Sequence, residues 1–468
     1  MVLDKGNRRS ETEETAGSAI RRLRFPAGFL WGVSTAAHQV EGGNDNNQWS
    51  AWEVAGRIKS GDRCGRACDW WNNAERDFDL AREIGVNALR LSVEWSRIEP
   101  EEGRWDFQAL QRYREMLQGL HQRGIQPMIC LHHFSHPRWF EHKKGFLSRD
   151  AAQLFERFTR RVVSDLGDLC RDWVTFNEPN VYAALGYVLG EFPPGRRGEM
   201  TTALRVVRAM AGAHAQAYRA IHELRPEGRV GWAHNYVVFQ PANPASALDR
   251  WVAGLLSELF NESFLRLVEQ GRLVFPLSLA DGNSCSAKGM CDFVGLNVYS
   301  RFHVAFDLRC ASQLFGRVFV PDHLPQGDRG FDNAYGEAHP QAIGVAVRRV
   351  ARMGKPIYVL ENGVPDAQDR IRPWLIASAV RELHGLINEG HDLRGYFHWT
   401  LTDNFEWSEG WKLRFGLVAL DPDTQQRTMR NSGRLYGAIA RSNQFSPEMI
   451  EQFCPSAISP GLEVSSGS

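Results

Sequence analysis

The sequence carries no charge imbalance: 55 lysines and arginines stand against 55 aspartates and glutamates in 468 residues. That balance gives no reason to expect a nucleic-acid partner or an anionic membrane surface. No apolar run reaches the roughly 18 residues of a membrane-crossing helix. The first 24 residues are polar and charged and lack an apolar stretch of the secretory kind, so a cytoplasmic location is expected. Cysteine is sparse, eight residues scattered along the chain. Most sit among apolar neighbours, as Cys130 does beside Ile129 and Leu131, where a free thiol behaves as a small hydrophobe. Reduced thiols are therefore expected rather than disulfides. Cys64 and Cys68 lie in a glycine-rich loop without a second ligand pair, which argues against zinc. Also missing are an internal repeat and a glycine-rich, phosphate-cradling loop.

What the chain does contain is a long alternation. With 43% hydrophobic and 24% charged residues it can bury one large core. Apolar runs recur at residues 29–33, 88–93, 127–131, 173–176, 229–233, 292–296, 357–360 and 395–399. They are continuous rather than alternating, the pattern of strands buried on both faces. Between them, residues 77–84, 110–117, 153–169 and 202–224 show the helical spacing i, i+3, i+4, i+7, the last ending before Pro226. Eight strands with helices between them predict an α/β fold, a single (β/α)8 TIM barrel with loop insertions over its C-terminal face. The barrel is expected over residues 25–454, between flexible tails at 1–24 and 455–468. The weakly periodic segment 301–337, punctuated by glycine and proline, reads as an insertion over the barrel mouth.

Two of the runs end on a glutamate: Glu178 follows Phe176 and Asn177, and Glu361 follows Val359 and Leu360. Pushing a carboxylate out of an apolar layer is costly without a purpose, and the bland purpose is helix capping. The other strand ends weigh against that reading. They carry Gln39, Glu41, Arg90, His132, His133, Asn235, Asn297, Tyr299 and Trp399, followed by Asn404, Glu406 and Trp407. Amides, imidazoles and carboxylates pair with vicinal hydroxyls, and indoles stack on the C–H face of a pyranose. A sugar is the ligand such a wall fits. His132, His133 and His136 raise the question of a metal, but neighbouring strand residues point to opposite faces and do not share one ion. No metal and no cofactor is expected.

These residues also stand in motifs that resemble glycoside hydrolase family 1, the β-glucosidase/β-galactosidase family, over residues 25–441. The resemblance rests on the start from Phe25 through Gln39 and Glu41, on Asn177-Glu178-Pro179, and on Glu361-Asn362-Gly363. It continues in Asn404-Phe405-Glu406-Trp407 and Arg414-Phe415-Gly416. It implies a retaining β-glycosidase, with Glu361 the nucleophile and Glu178 the acid/base. Arg90, Tyr299 and Asn297 would support the nucleophile and keep it ionised. Gln39, His133, Asn177, Trp399, Glu406, Trp407 and Phe415 would bind the sugar, His133 rather than His132 matching the motif. The implied partner is a small-molecule, non-phosphorylated β-D-glucoside, with β-fucosides and β-galactosides alongside; homo-oligomerisation is left open. One departure stands out: Gly336, between Tyr335 and Glu337, occupies the place of a tryptophan that stacks on the leaving group. Two rivals remain, a transglycosidase using the same intermediate and a catalytically silent sugar binder. The second is disfavoured because both glutamates, Arg90 and Tyr299 are all kept.

Overall fold

The computed structural model describes residues 22–273, 286–331 and 335–455. Eight strands close into a barrel. They are β1 (Leu30–Ser34), β2 (Ala88–Ser92), β3 (Gln126–His132), β4 (Asp172–Asn177), β5 (Arg229–Asn235), β6 (Val294–Asn297), β7 (Ile357–Asn362) and β8 (Leu393–Trp399). Every neighbouring pair is parallel, in chain order around the ring until β8 meets β1. Each strand matches one of the eight apolar runs, because helices cover the outer face while side chains fill the inner one. The inner fill includes Leu30, Ala88, Met128, Val174, Leu360 and Phe397. Its tightness shows at Gly32, where a Cβ would lie 2.2 Å from the Phe397 ring.

The four helical stretches read from periodicity fall within Trp70–Ile84, Phe107–Gln122, Ala151–Leu166 and Met200–Leu224, the third stopping three residues short of Leu169. Two irregularities set up the site. The register of β4 against β5 shifts between Val174 and Asn177, and that of β7 against β6 between Val359 and Glu361. Bulges of this kind re-aim the side chains that follow. Here they sit at the two glutamates.

Within the expected insertion, Ser300–Phe306, Gly316–Phe319 and Glu337–Ala338 form a small sheet with Val238–Pro241. Arg301 clamps it, with Nε and Nη2 each 2.7 Å from the Glu337 carboxylate and Nη1 2.8 Å from Gln240 Oε1. The expected N-terminal tail is ordered at its end, since Leu23–Arg24 pairs with Gln444–Phe445. The rest of that tail, residues 1–21, and the C-terminal one from residue 456 lie outside the described residues. The tryptophans are mainly core: Trp31, Trp49, Trp70, Trp95, Trp173 and Trp232 are wholly buried. Every described cysteine is free, and Cys285 lies outside the described residues. No described helix is long and apolar enough to cross a membrane.

Candidate active site

Glu178 leaves β4 with φ at +47°, in the left-handed region. Holding a non-glycine residue there costs on the order of 1–3 kcal/mol, and such strain concentrates at functional sites. Although it precedes the short helix Pro179–Ala183, its side chain caps nothing. It turns instead to Asn235 and Asn297, whose Nδ2 groups each donate to Oε1 at 2.8 Å. An oxygen that accepts two amide protons is the carbonyl-like one, so a proton on this carboxyl belongs on Oε2. Burial, then the charge of Glu361, push the Glu178 pKa up to about 8.

Glu361 is held from two sides. Arg90 Nη1 donates to Oε1 at 2.7 Å and the Tyr299 hydroxyl to Oε2 at 2.6 Å. Both partners favour the carboxylate, as expected, but burial is the larger influence and the net shift is upward. Glu361 still ionises before Glu178, because its charge is one of the causes that raise Glu178. Asn297 serves both: it donates to Glu178 and to Asn177 Oδ1, at 3.0 Å, and hydrogen-bonding to it also favours ionised Glu361. Its place is thus between the glutamates rather than beside the nucleophile alone.

Asn177 Oδ1 also accepts from Arg90 Nη2 at 2.5 Å, and its Nδ2 lies 3.0 Å from His133 Nε2. Burial and then Arg90 hold the His133 pKa far below its usual value, so the ring is neutral. His133 lines the cavity, whereas His132 turns away to pair with His136 Nδ1 at 3.3 Å. Trp399, Glu406 and Trp407 complete the wall, the Trp407 ring stacked 5.9 Å from His133. Gln39 donates from Nε2 to Phe405 O at 2.8 Å and to Glu406 Oε2 at 3.3 Å. Its Oε1 is buried without a partner among the described residues.

Burial pushes the Glu406 pKa up to about 7, against the Tyr335 hydroxyl, which donates to its Oε1 at 2.5 Å. The whole cavity holds about 680 Å3, a size ordinary for a small-molecule site. Among the sequence candidates, Gln39, Glu41, Arg90, His132, Asn297, Asn404 and Phe415 do not line it, Arg90 and Asn297 acting through the glutamates they contact. Phe415 is buried behind Tyr299 and Tyr335, with ring centroids 6.3 and 5.0 Å away, so it positions those rings and does not line the cavity. Glu41 is tied to the Tyr113 hydroxyl at 2.6 Å and Arg97 Nε at 2.9 Å, a structural knot. Conversely, the contacts of Asn235 with Glu178 and of Tyr335 with Glu406 carry no local signature; only the placement of Asn235 at a strand end hinted at it.

Glycosyl hydrolase family 1 matches this chain over residues 21–445. The chain belongs to that family. Among curated relatives it is 32% identical to β-glucosidase A of Thermotoga maritima, covering 90% of this chain and 98% of the relative. It is 29% identical to a β-galactosidase of Sulfolobus acidocaldarius, covering 92% and 97%. The solved β-glycosidase of Pyrococcus horikoshii superposes with a TM-score of 0.83 at 34% identity, covering 92% of this chain and 98% of that one. The protein is thus a family 1 β-glycosidase with a (β/α)8 barrel. Among its described residues, no cluster of histidine, cysteine or carboxylate ligands could hold a metal ion.

Proposed function

We propose that this family 1 enzyme releases terminal, non-phosphorylated β-D-glucosyl residues, and β-fucosyl or β-galactosyl ones alongside, by double displacement with retention. The carrying observation is the asymmetry of the two carboxyls. Glu178 keeps its proton on Oε2 at neutral pH, while Arg90 and Tyr299 stabilise the charge on Glu361. In the first step Glu361 attacks C1, the C1–O bond to the leaving group breaks, and the Glu178 proton passes to the departing oxygen. In the second, Glu178, now a carboxylate, takes a proton from water; the water oxygen bonds to C1 and the ester to Glu361 breaks. Both carboxyls interact with the one Asn297 amide, which supports the short separation of the retaining class, roughly 5–5.5 Å. Asn177, fixed by Arg90 and His133, is the donor for the 2-hydroxyl. Gln39 and Glu406 suit the hydroxyls opposite, which differ between glucose and galactose only in orientation at C4. Relatives named for either sugar agree with this breadth.

Proton NMR of fresh product from p-nitrophenyl β-D-glucoside, fucoside and galactoside tests the reading. The β-anomer should appear first, and the relative rates name the sugar. The α-anomer appearing first would overturn retention.

The pH profile follows from the two shifts. Activity requires Glu178 protonated and Glu361 ionised, so kcat/KM should fall as pH rises through about 8. Its acid limb should lie above the ordinary glutamate range, because burial raises Glu361. Tyr299→Phe removes one donor to the carboxylate, so it should move the acid limb further up while leaving the alkaline one in place. An acid limb that stays put in this variant separates Tyr299 from Glu361.

Sugar 6-phosphates should be refused. Glu406 faces the cavity, and no lysine or arginine lines it among the described residues to pair with a phosphate dianion. With p-nitrophenyl β-D-glucoside 6-phosphate, kcat/KM should be at least about 100-fold below that of the unphosphorylated substrate, the cost of roughly 3 kcal/mol for an unpaired buried charge. Comparable rates on the two substrates would remove Glu406 from the sugar site.

A further inference from the structure

The cavity does not end at the glutamates. It continues as an apolar chamber whose walls extend the chain from the groups around Glu178. Leu185 and Val188 follow Glu178 itself, Val237 and Phe239 follow its partner Asn235, and Phe302 follows Tyr299. Leu256, Leu259 and Phe260 close it from the continuous helical stretch 247–270, and Leu204 and Val207 from the long helix Met200–Leu224. Between Glu361 and Trp399, by contrast, no described residue lines the cavity. The chamber therefore lies on the side of the proton donor, where the leaving group must stand.

Two features deepen the assignment. The segments Ala184–Leu189 and Glu258–Glu262 are both π-helical, and each supplies chamber wall. Such widened turns recur at functional sites. Gly336 has φ at +75°, and a Cβ there would lie 2.6 Å from the Ser300 Cβ and 2.9 Å from the Phe302 ring. No indole can occupy that position, so the expected stacking platform for a second sugar is replaced by Phe302 at the chamber wall. The polar groups that line the cavity outside the sugar wall are few against its apolar residues: Asn180, Glu191, Ser263, Ser300, Gln313 and Ser408, with the Glu191 carboxylate paired to Lys59 Nζ at 3.3 Å.

We infer that the preferred leaving group is an extended apolar alcohol, alkyl or isoprenoid in character, and not a second sugar. The inference rests on the retaining β-glycosidase reading. Each hydroxyl of a leaving sugar left unpaired against these walls lowers affinity about tenfold or more. Each methylene taken from water into them raises it by up to about fourfold.

The test compares kcat/KM for β-D-glucosyl fluoride, for methyl, butyl, hexyl and octyl β-D-glucosides below their micelle concentrations, and for cellobiose. Fluoride is a one-atom leaving group that reaches no chamber wall, so it reports the sugar half of the site alone. From butyl to octyl, kcat/KM should rise by about tenfold or more, and octyl glucoside should exceed cellobiose by about tenfold. Val318→Asp, on a half-exposed edge of the chamber, and Leu256→Gln should each lower the octyl-to-fluoride ratio by about tenfold. That ratio does not depend on the fraction of enzyme folded. A flat alkyl series, cellobiose at or above octyl glucoside, or an unmoved ratio in both variants overturns the inference. If the fluoride itself is not cleaved, the glycosidase reading beneath it fails, and the inference with it.

Discussion

Glu361→Gln should abolish turnover, lowering kcat by at least about 10⁴-fold whether the leaving group is good or poor. The amide matches the carboxylate in shape; its one oxygen can accept from Arg90 Nη1, and its NH2 then faces the Tyr299 hydroxyl, which can turn to accept from it, so the site keeps its outline. What disappears is the atom that bonds to C1. Both steps of the proposed double displacement pass through that bond, so no choice of leaving group should recover the loss. Arg90 is fully buried, and its guanidinium then faces a neutral partner, so a lower melting temperature should accompany the change. The control is sugar binding: a reversible glucose-like inhibitor should still bind, since Trp399, Trp407 and Glu406 are untouched. Turnover above about one per cent of wild type, or a loss that shrinks as the leaving group improves, would take the nucleophile's role away from Glu361.

Much of this architecture was legible in the chain, for a physical reason. A strand buried on both faces has no freedom to mix polar residues into its middle, so each barrel strand announces itself as an apolar run. The first polar residue after it marks the barrel mouth. That logic located Asn177, Glu178, Asn297 and Glu361, whereas Arg90, a polar residue inside β2, and His133, chosen over His132, needed the motif resemblance as well; the fold brings all six into one hydrogen-bonded group. It failed where a contact depends on elements distant in sequence. Phe415 sits in a motif with sugar-binding neighbours, yet packing seats it behind two tyrosines. Tyr335 reaches Glu406 only because the small sheet folds segment 301–337 back over the mouth. The apolar chamber was equally hidden, since its residues come from six separate stretches and no single one of them marks a cavity. Local pattern records burial; it does not record which buried residues face a cavity.

Glu178→Ala should behave unlike the nucleophile variant, and the contrast carries the mechanistic argument. With alkyl glucosides, whose oxygen cannot leave without a proton, kcat/KM should drop by about 10²–10⁴-fold. With 2,4-dinitrophenyl β-D-glucoside the phenolate leaves unaided, so Glu361 should still be glycosylated at close to the normal rate. The second step then lacks its base, and a burst of phenolate followed by slow turnover should appear. Azide should relieve that block, since it is an anion and needs no deprotonation. It fits where the carboxyl stood between the Asn235 and Asn297 amides, both left without their acceptor. The product should be β-glucosyl azide, carrying the configuration of the substrate. The alkaline limb near pH 8 should also vanish from kcat/KM on the dinitrophenyl substrate, because the group that titrates there is gone. Failure of azide to accelerate turnover, or an α-azide, would mean that the proton donor lies elsewhere on the rim. The raised pKa of Glu178 would then be a consequence of burial alone, with no part in catalysis.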